Sequence, residues 1–257
     1  MKLSRNMLHW RDLLFELVSR DLKVRYQRSA IGLGWSLMKP LAQLAIFATV
    51  FSSILPLDIK NYTTFVFTGV LVWAWFSSSL TSAAVSIVGS REMVRRPGFP
   101  VRLLPALTIL SQGVHFILAL PLLFVSSWIQ IGPPPISALA LPALILAQFV
   151  FTLAICNILA SLHVFFRDIE HLVGITMMLG FYVTPVFYRP IDANQDYWFL
   201  TAFNPMAWIL EGYRAIFVDH TWPPLWIYGY VTMVSVPLLL FGHWYFDRVS
   251  NRFVDEL

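Results

Sequence analysis

Long apolar runs separated by short polar breaks dominate this chain. Six of them follow one another, near Gly34–Leu57, Thr63–Val88, Leu104–Ile131, Ile136–Val164, Leu172–Phe187 and Leu225–Phe246. A helix that crosses the hydrocarbon core of a bilayer needs about 20 mostly apolar residues, so the pattern predicts six spans. The fifth run is the shortest and is interrupted by Gly180 and Pro185. It is expected to tilt, to break, or to run on into the following loop, which is tolerated where protein or a water-filled path covers the backbone. Ahead of the spans, Met7 to Val24 has a helical period of its own. Trp10, Leu13, Leu14, Leu17 and Val18 recur on one side, with Arg11, Glu16, Arg20 and Lys23 largely opposite, as in a helix that lies in the membrane interface. The chain thus divides into residues 1–33, an N-terminal amphipathic interfacial helix, and residues 34–257, a six-span domain. The expected fold is an all-α integral membrane protein with short outer re-entrant or gate helices between spans five and six.

Composition agrees. The chain is 58% hydrophobic and only 12% charged, against roughly 25% charged in soluble domains. The 18 Lys and Arg residues outnumber the 14 Asp and Glu, but they flank apolar runs and form no basic face for nucleic acid. Their placement orients the chain instead. One side collects the basic residues up to Lys39, then Arg91, Arg95, Arg96, Arg102, Arg167, Arg248 and Arg252; the other has Lys60, Arg189 and Arg214. The positive-inside rule puts the first set, and both termini, in the cytoplasm. The single cysteine, Cys156, lies in an apolar run and forms no intrachain disulfide. There is no phosphate-binding loop for ATP, no His/Cys cluster at metal-ligand spacing, and no carboxylate at a span centre of the kind an ion-coupled transporter keeps.

Two loops carry more than a connector needs. Gly89 to Pro105, GSREMVRRPGFPVRLLP, is basic and broken by Pro97, Gly98 and Pro100. Arg91, Glu92, Arg95 and Arg96 fit one or two turns of a short helix, with Phe99 exposed beyond it. Such a segment suits a lever for a cytoplasmic partner; it equally suits simple enforcement of topology on anionic headgroups. The second loop, Tyr188 to Pro224, is too long for a turn. Within it, Asn204 is placed to cap a helix that begins at Pro205 and runs to Phe217. Met206, Ile209, Leu210, Tyr213 and Phe217 form its apolar face, and Glu211 and Arg214 are an i,i+3 pair. This helix is too short to span and is expected to dip into the outer leaflet or lie on it. Trp73, Trp75, Trp128, Trp198, Trp222 and Trp226 fall near expected membrane boundaries, as interfacial anchors do. Trp35, Phe47 and Phe51 on the first span, and Tyr182 and Tyr188 on the fifth, are the candidates for lining a path, where aromatic faces suit sugars.

Four stretches in order, RDLKVRYQRSAIGLGWSLMKPL (Arg20–Leu41), RRPGFPVRLLP (Arg95–Pro105), FFRDIEHLVGITMMLGFYVTPVFY (Phe165–Tyr188) and NPMAWILEGYR (Asn204–Arg214), together with the tail FDRVSNRFVDEL, resemble the permease subunits of ABC-type polysaccharide exporters, which move O-antigen, capsule or teichoic acid chains. The resemblance implies a homodimer in the bacterial inner membrane with two separate ATP-binding cassette subunits. ATP and Mg would sit on those subunits, and this chain would bind no cofactor and be no enzyme. It implies that the interfacial helix and the loop with Arg91, Glu92, Arg95, Arg96, Phe99 and Pro100 meet the ATPases. It implies that spans one and five line a channel for a lipid-linked polysaccharide, and that the helix with Asn204, Pro205, Glu211, Tyr213 and Arg214 belongs to a gate. An exporter for a lipid or drug, an ion-coupled transporter and a membrane-bound transferase are the competing classes; the last would need a carboxylate pair, for which only Asp192 and Asp196 are close in that loop.

Overall fold

The computed structural model describes residues 14, 16–24, 26–27, 29, 32–50, 61–189 and 201–257. Among these the secondary structure is helical, with no strand. The longer helices are α1 (Trp35–Thr49), α2 (Tyr62–Ala84), α3 (Leu103–Gln130), α4 (Leu141–Phe165), α5 (Ile169–Val183), α6 (Pro205–Phe217) and α7 (Leu225–Ser250). Four helices among the described residues are long and apolar enough to cross a membrane: α2, α3, α4 with the 3-10 turn that leads into it, and α7. The rest of the first expected span, with Phe51, lies outside the described residues. Residues 16–24 are helical, as the amphipathic pattern predicts. Leu17 is buried, while Glu16, Arg20 and Lys23 face outward; Trp10 and Leu13 lie outside the described residues.

The hub is α2, which packs against α1, α3, α4, α5 and α6. Its sequence is apolar on every side, and a helix apolar all round belongs in the middle of a bundle. This corrects the expectation for Trp73 and Trp75, which are not boundary anchors. They are 6% and 5% exposed, because the helix that carries them is enclosed. A buried indole N–H needs an acceptor, and Trp75 Nε1 donates to the Ile109 carbonyl at 3.2 Å while its ring stacks on Phe116. Trp128, Trp222 and Trp226 are exposed, as anchors are; Trp198 lies outside the described residues. Along the far side α4 runs against α7. Gly242 permits that approach, since a Cβ there would sit 3.0 Å from the Ala154 carbonyl oxygen, the small-residue contact that membrane helices favour.

The fifth apolar run forms α5, which begins at Ile169 and ends at Val183. Gly180 does not interrupt it: the helix passes through Gly180 with Trp73 set against it. The break comes at Thr184, whose ψ of 135° is extended, as the residue before a proline prefers.

A second apolar cluster closes one end of the bundle. Ile87, Val94, Leu104, Ala160, Val164, Phe246 and Phe253 are buried together there, joining the loop after α2 to the ends of α4 and α7. Because Arg91, Arg95, Arg96, Arg102, Arg248 and Arg252 surround this end, it is called the basic end below.

Candidate functional site

At the basic end, residues 86–102 form two single-turn helices, Ser86–Gly89 and Arg91–Val94, and a turn. Val94 points inward to the cluster, so Arg91, Glu92, Arg95 and Arg96 point out and are exposed. Gly98 has φ +79°, a left-handed turn that glycine makes without strain, and it folds the chain back. Phe99, expected to stand exposed, is therefore partly buried against the cluster, and Pro100 is half-buried. Arg102 pairs with Asp247 of α7. The N-terminal helix meets this loop: Arg20 Nη2 lies 3.7 Å from Met93 Sδ. Between them is a cleft of about 440 Å³ lined by Arg20, Arg91, Glu92, Met93 and Arg96. The resemblance implies that both segments meet one partner, and the fold sets them side by side.

The opposite end is held by buried polar groups. Asn204 caps α6 as expected: its side chain accepts from Met206 N–H at 3.0 Å and Pro205 takes the first helical position. Its Nδ2 also donates to Thr184 Oγ1 at 2.9 Å. The helix does not lie on a surface, because most of it, including Tyr213, is buried among α2, α3, α4 and α7. The side chain of Arg214 is wholly enclosed, at 0% exposure. Its Nη2 donates to the Val186 carbonyl at 2.7 Å and its Nη1 to the Tyr188 carbonyl at 3.1 Å. Tyr62 donates to the carbonyl between them, that of Phe187, at 2.8 Å.

These bonds follow from the break at Thr184. Once α5 stops, the next carbonyls have no helical partner, and a buried unpaired carbonyl costs about 1–3 kcal/mol. Gly69 of α2 makes room for the solution, since a Cβ there would meet the Val186 oxygen at 2.8 Å and Arg214 Nη2 at 3.3 Å. The guanidinium also lies 3.5 Å from the centroid of the Phe65 ring, a favourable cation–π placement. A guanidinium keeps its proton in proteins, so the enclosed group is a cation. Glu211 Oε2 stands 3.6 Å from Arg214 Nη1, too far for a hydrogen bond. Beyond α6, Arg189 pairs with Asp219 at 2.6 Å. The sequence pointed to Asn204, Pro205, Glu211, Tyr213 and Arg214. It gave no sign of Tyr62, Phe65 or Gly69, whose part depends on where α2 lies, nor of Thr184, whose hydroxyl meets Asn204 from 20 positions away.

The path candidates separate. Trp35 and Tyr182 are exposed, Tyr182 at 68%. Phe47 is partly buried against the core. Tyr188 is half-buried, and its hydroxyl donates to the Val183 carbonyl at 2.9 Å, so it caps α5 rather than projecting freely. Among the described residues no group of three His, Cys, Asp or Glu side chains is placed to hold a metal ion.

Long apolar helices around an enclosed hub, a charged cleft at one end and a polar-tied broken helix at the other define a multi-pass membrane protein. Residues 12–218 match the family described as ABC-2 type transporter, and the chain belongs to that family. It is 32% identical to an O-antigen export system permease protein RfbA of Myxococcus xanthus, over the whole of both chains. It is 29% identical to a protein of the same name from Klebsiella pneumoniae, covering all of this chain and 99% of that one.

Proposed function

We propose that this chain is the membrane-spanning subunit of an ATP-driven exporter that carries a lipid-linked polysaccharide from the cytoplasmic to the outer side of the bacterial inner membrane. The observation that carries the reading is similarity along the entire chain to permeases named for O-antigen export. On this reading α1 and α5 complete the count of six spans, and both termini are cytoplasmic. Residues 1–33 form the interfacial segment and 34–257 the transmembrane domain. Two copies associate, and two ATP-binding cassette subunits dock on the basic end, supplying the ATP and Mg sites that this chain lacks.

Exposure patterns support the assembly. Trp35, Met38, Leu41 and Ile46 on α1, and Leu172, Ile175, Met178, Leu179 and Tyr182 on α5, are exposed, while both helices lean on the same hub. Their outward faces are thus available to a second copy and to a shared path. Aromatic side chains there hold sugars by dispersion and C–H contact without fixed hydrogen bonds, so a polymer can slide. The cleft with Arg91, Glu92 and Arg96 is the docking surface, and α6 belongs to the outer gate.

Disruption of the gene in its own host tests this. Lipid-linked glycan should accumulate inside and vanish from the surface, with restoration by the intact gene. Unchanged surface glycan in the disrupted strain overturns the reading.

A further inference from the structure

Polar ties from α6 and the residues flanking it converge on residues 184–189. Asn204 holds Thr184, Arg214 holds the Val186 and Tyr188 carbonyls, and Asp219 holds Arg189. The ties begin at the helix's N-cap and extend past its C-terminus, so α5 and α6 are joined as one body in this state. The join has an unused alternative. Glu211 Oε2 is buried and has no hydrogen-bond partner among the described residues. It sits one helical turn from Arg214, 3.6 Å from the guanidinium, and Arg214 Nε is likewise without a hydrogen bond.

We propose that Arg214 and Glu211 form a two-position latch, in which the guanidinium either grips the Val186 and Tyr188 carbonyls or releases them and closes on the Glu211 carboxylate. The inference rests on the exporter reading for what passes through, and adds which groups set the outer end open or shut. In the observed position the broken backbone is satisfied and the carboxylate is left with an incomplete ion pair. When residues 184–189 withdraw, their carbonyls are free to bond water, and the buried cation they leave behind needs another acceptor. An uncompensated buried charge is strongly unfavourable. A carboxylate one turn away supplies two oxygens in the fork geometry that guanidinium matches. The two arrangements then exchange one set of charged hydrogen bonds for another, which keeps their free energies close, as a switch requires.

Thiol labelling reads the latch directly. Cys156 is the sole cysteine and is buried, so Cys156→Ala supplies a background for Val186→Cys, a reporter at a fully buried position. The probe is a membrane-impermeant maleimide added to intact cells or to outside-out vesicles. Arg214→Gln should raise the labelling rate about tenfold or more, the size expected when charged hydrogen bonds are lost. Arg214→Lys, whose ammonium cannot bridge two carbonyls as a planar fork does, should fall between. Glu211→Gln should act oppositely and slow labelling, because the carboxylate, 3.6 Å from the guanidinium in the observed position, closes fully on it only in the released state. A latch that merely holds structure would not give opposite signs. Glu211→Gln labelling at or above the background rate overturns the proposal, as does unchanged labelling in Arg214→Gln. If Arg214→Gln fails to insert, Glu211→Gln decides alone. The readout involves no glycan, so an altered cargo would leave the labelling order intact, whereas failure of the order leaves the exporter reading standing.

Discussion

The two ends of this bundle use arginine in opposite ways. At the basic end Arg91, Arg95 and Arg96 are exposed, and the loop that carries them is anchored by apolar side chains, Ile87, Val94 and Phe99 among them. At the other end Arg214 is sealed inside, and the segment it touches is anchored by hydrogen bonds to main-chain oxygens. The first arrangement leaves charge free to meet another molecule while the loop keeps its shape. The second spends its charge on the protein's own backbone. A loop built to dock needs a stiff apolar base. A broken helix inside a low-dielectric bundle needs donors, and guanidinium offers five in a fixed plane.

The largest effect that separates these roles belongs to Arg214→Ala. It leaves the Val186 and Tyr188 carbonyls unpaired, strands Glu211 and opens a cavity beside Phe65. The expected cost is about 3–5 kcal/mol, the range for breaking a buried charged network. A large drop in the thermal midpoint of the detergent-purified protein should report it. A drop no larger than that of a surface substitution would mean that the guanidinium is not what holds the broken segment.

A smaller effect separates two tyrosines that the sequence treats alike. Tyr188→Phe removes the bond to the Val183 carbonyl and should cost about 1 kcal/mol. Tyr182 is exposed, so Tyr182→Phe should leave stability unchanged, and export unchanged too if its ring alone contacts the glycan. Measured stabilities that fail to separate the two would show that the Tyr188 hydroxyl does not cap α5. Reduced export by Tyr182→Phe at equal insertion would show that a hydroxyl, and not stacking, makes the contact.

What the sequence made legible was whatever depends on local pattern. Four of the six apolar runs announced helices long and apolar enough to span, Asn204-Pro205 announced the start of α6, and Pro185 announced the break in α5. What it hid depends on lateral arrangement. Trp73 and Trp75 read as boundary anchors because hydropathy reports depth in a membrane and not which helix stands at the centre. Phe99 read as exposed because the turn at Gly98 that brings it back to the buried apolar cluster is a tertiary outcome. Arg214 read as one half of an i,i+3 pair with Glu211, since that neighbour is visible in the chain. Its closer partners, the carbonyls near residue 187, are some 26 to 28 positions away and become acceptors only after α5 has stopped.

A similarly small effect on the fold, and the sharpest contrast with Arg214, belongs to the double substitution Arg95→Glu and Arg96→Glu. Both side chains are exposed, and neither reaches the apolar cluster that shapes the loop. Stability should change by no more than about 0.5 kcal/mol, as for most surface substitutions, and insertion should be normal. Docking is another matter, because reversing two charges on a contact surface removes favourable pairs and introduces like-charge approaches to whatever complemented them. The permease should therefore purify intact while retaining little of the ATPase subunit, and surface glycan should fall in proportion. Raised salt should weaken the unaltered complex as well, since exposed pairs are screened. Undiminished co-purification with undiminished export would remove these two arginines from the docking surface. Loss of insertion would assign them to topology, where basic residues beside a span are held by the positive-inside rule and by anionic headgroups.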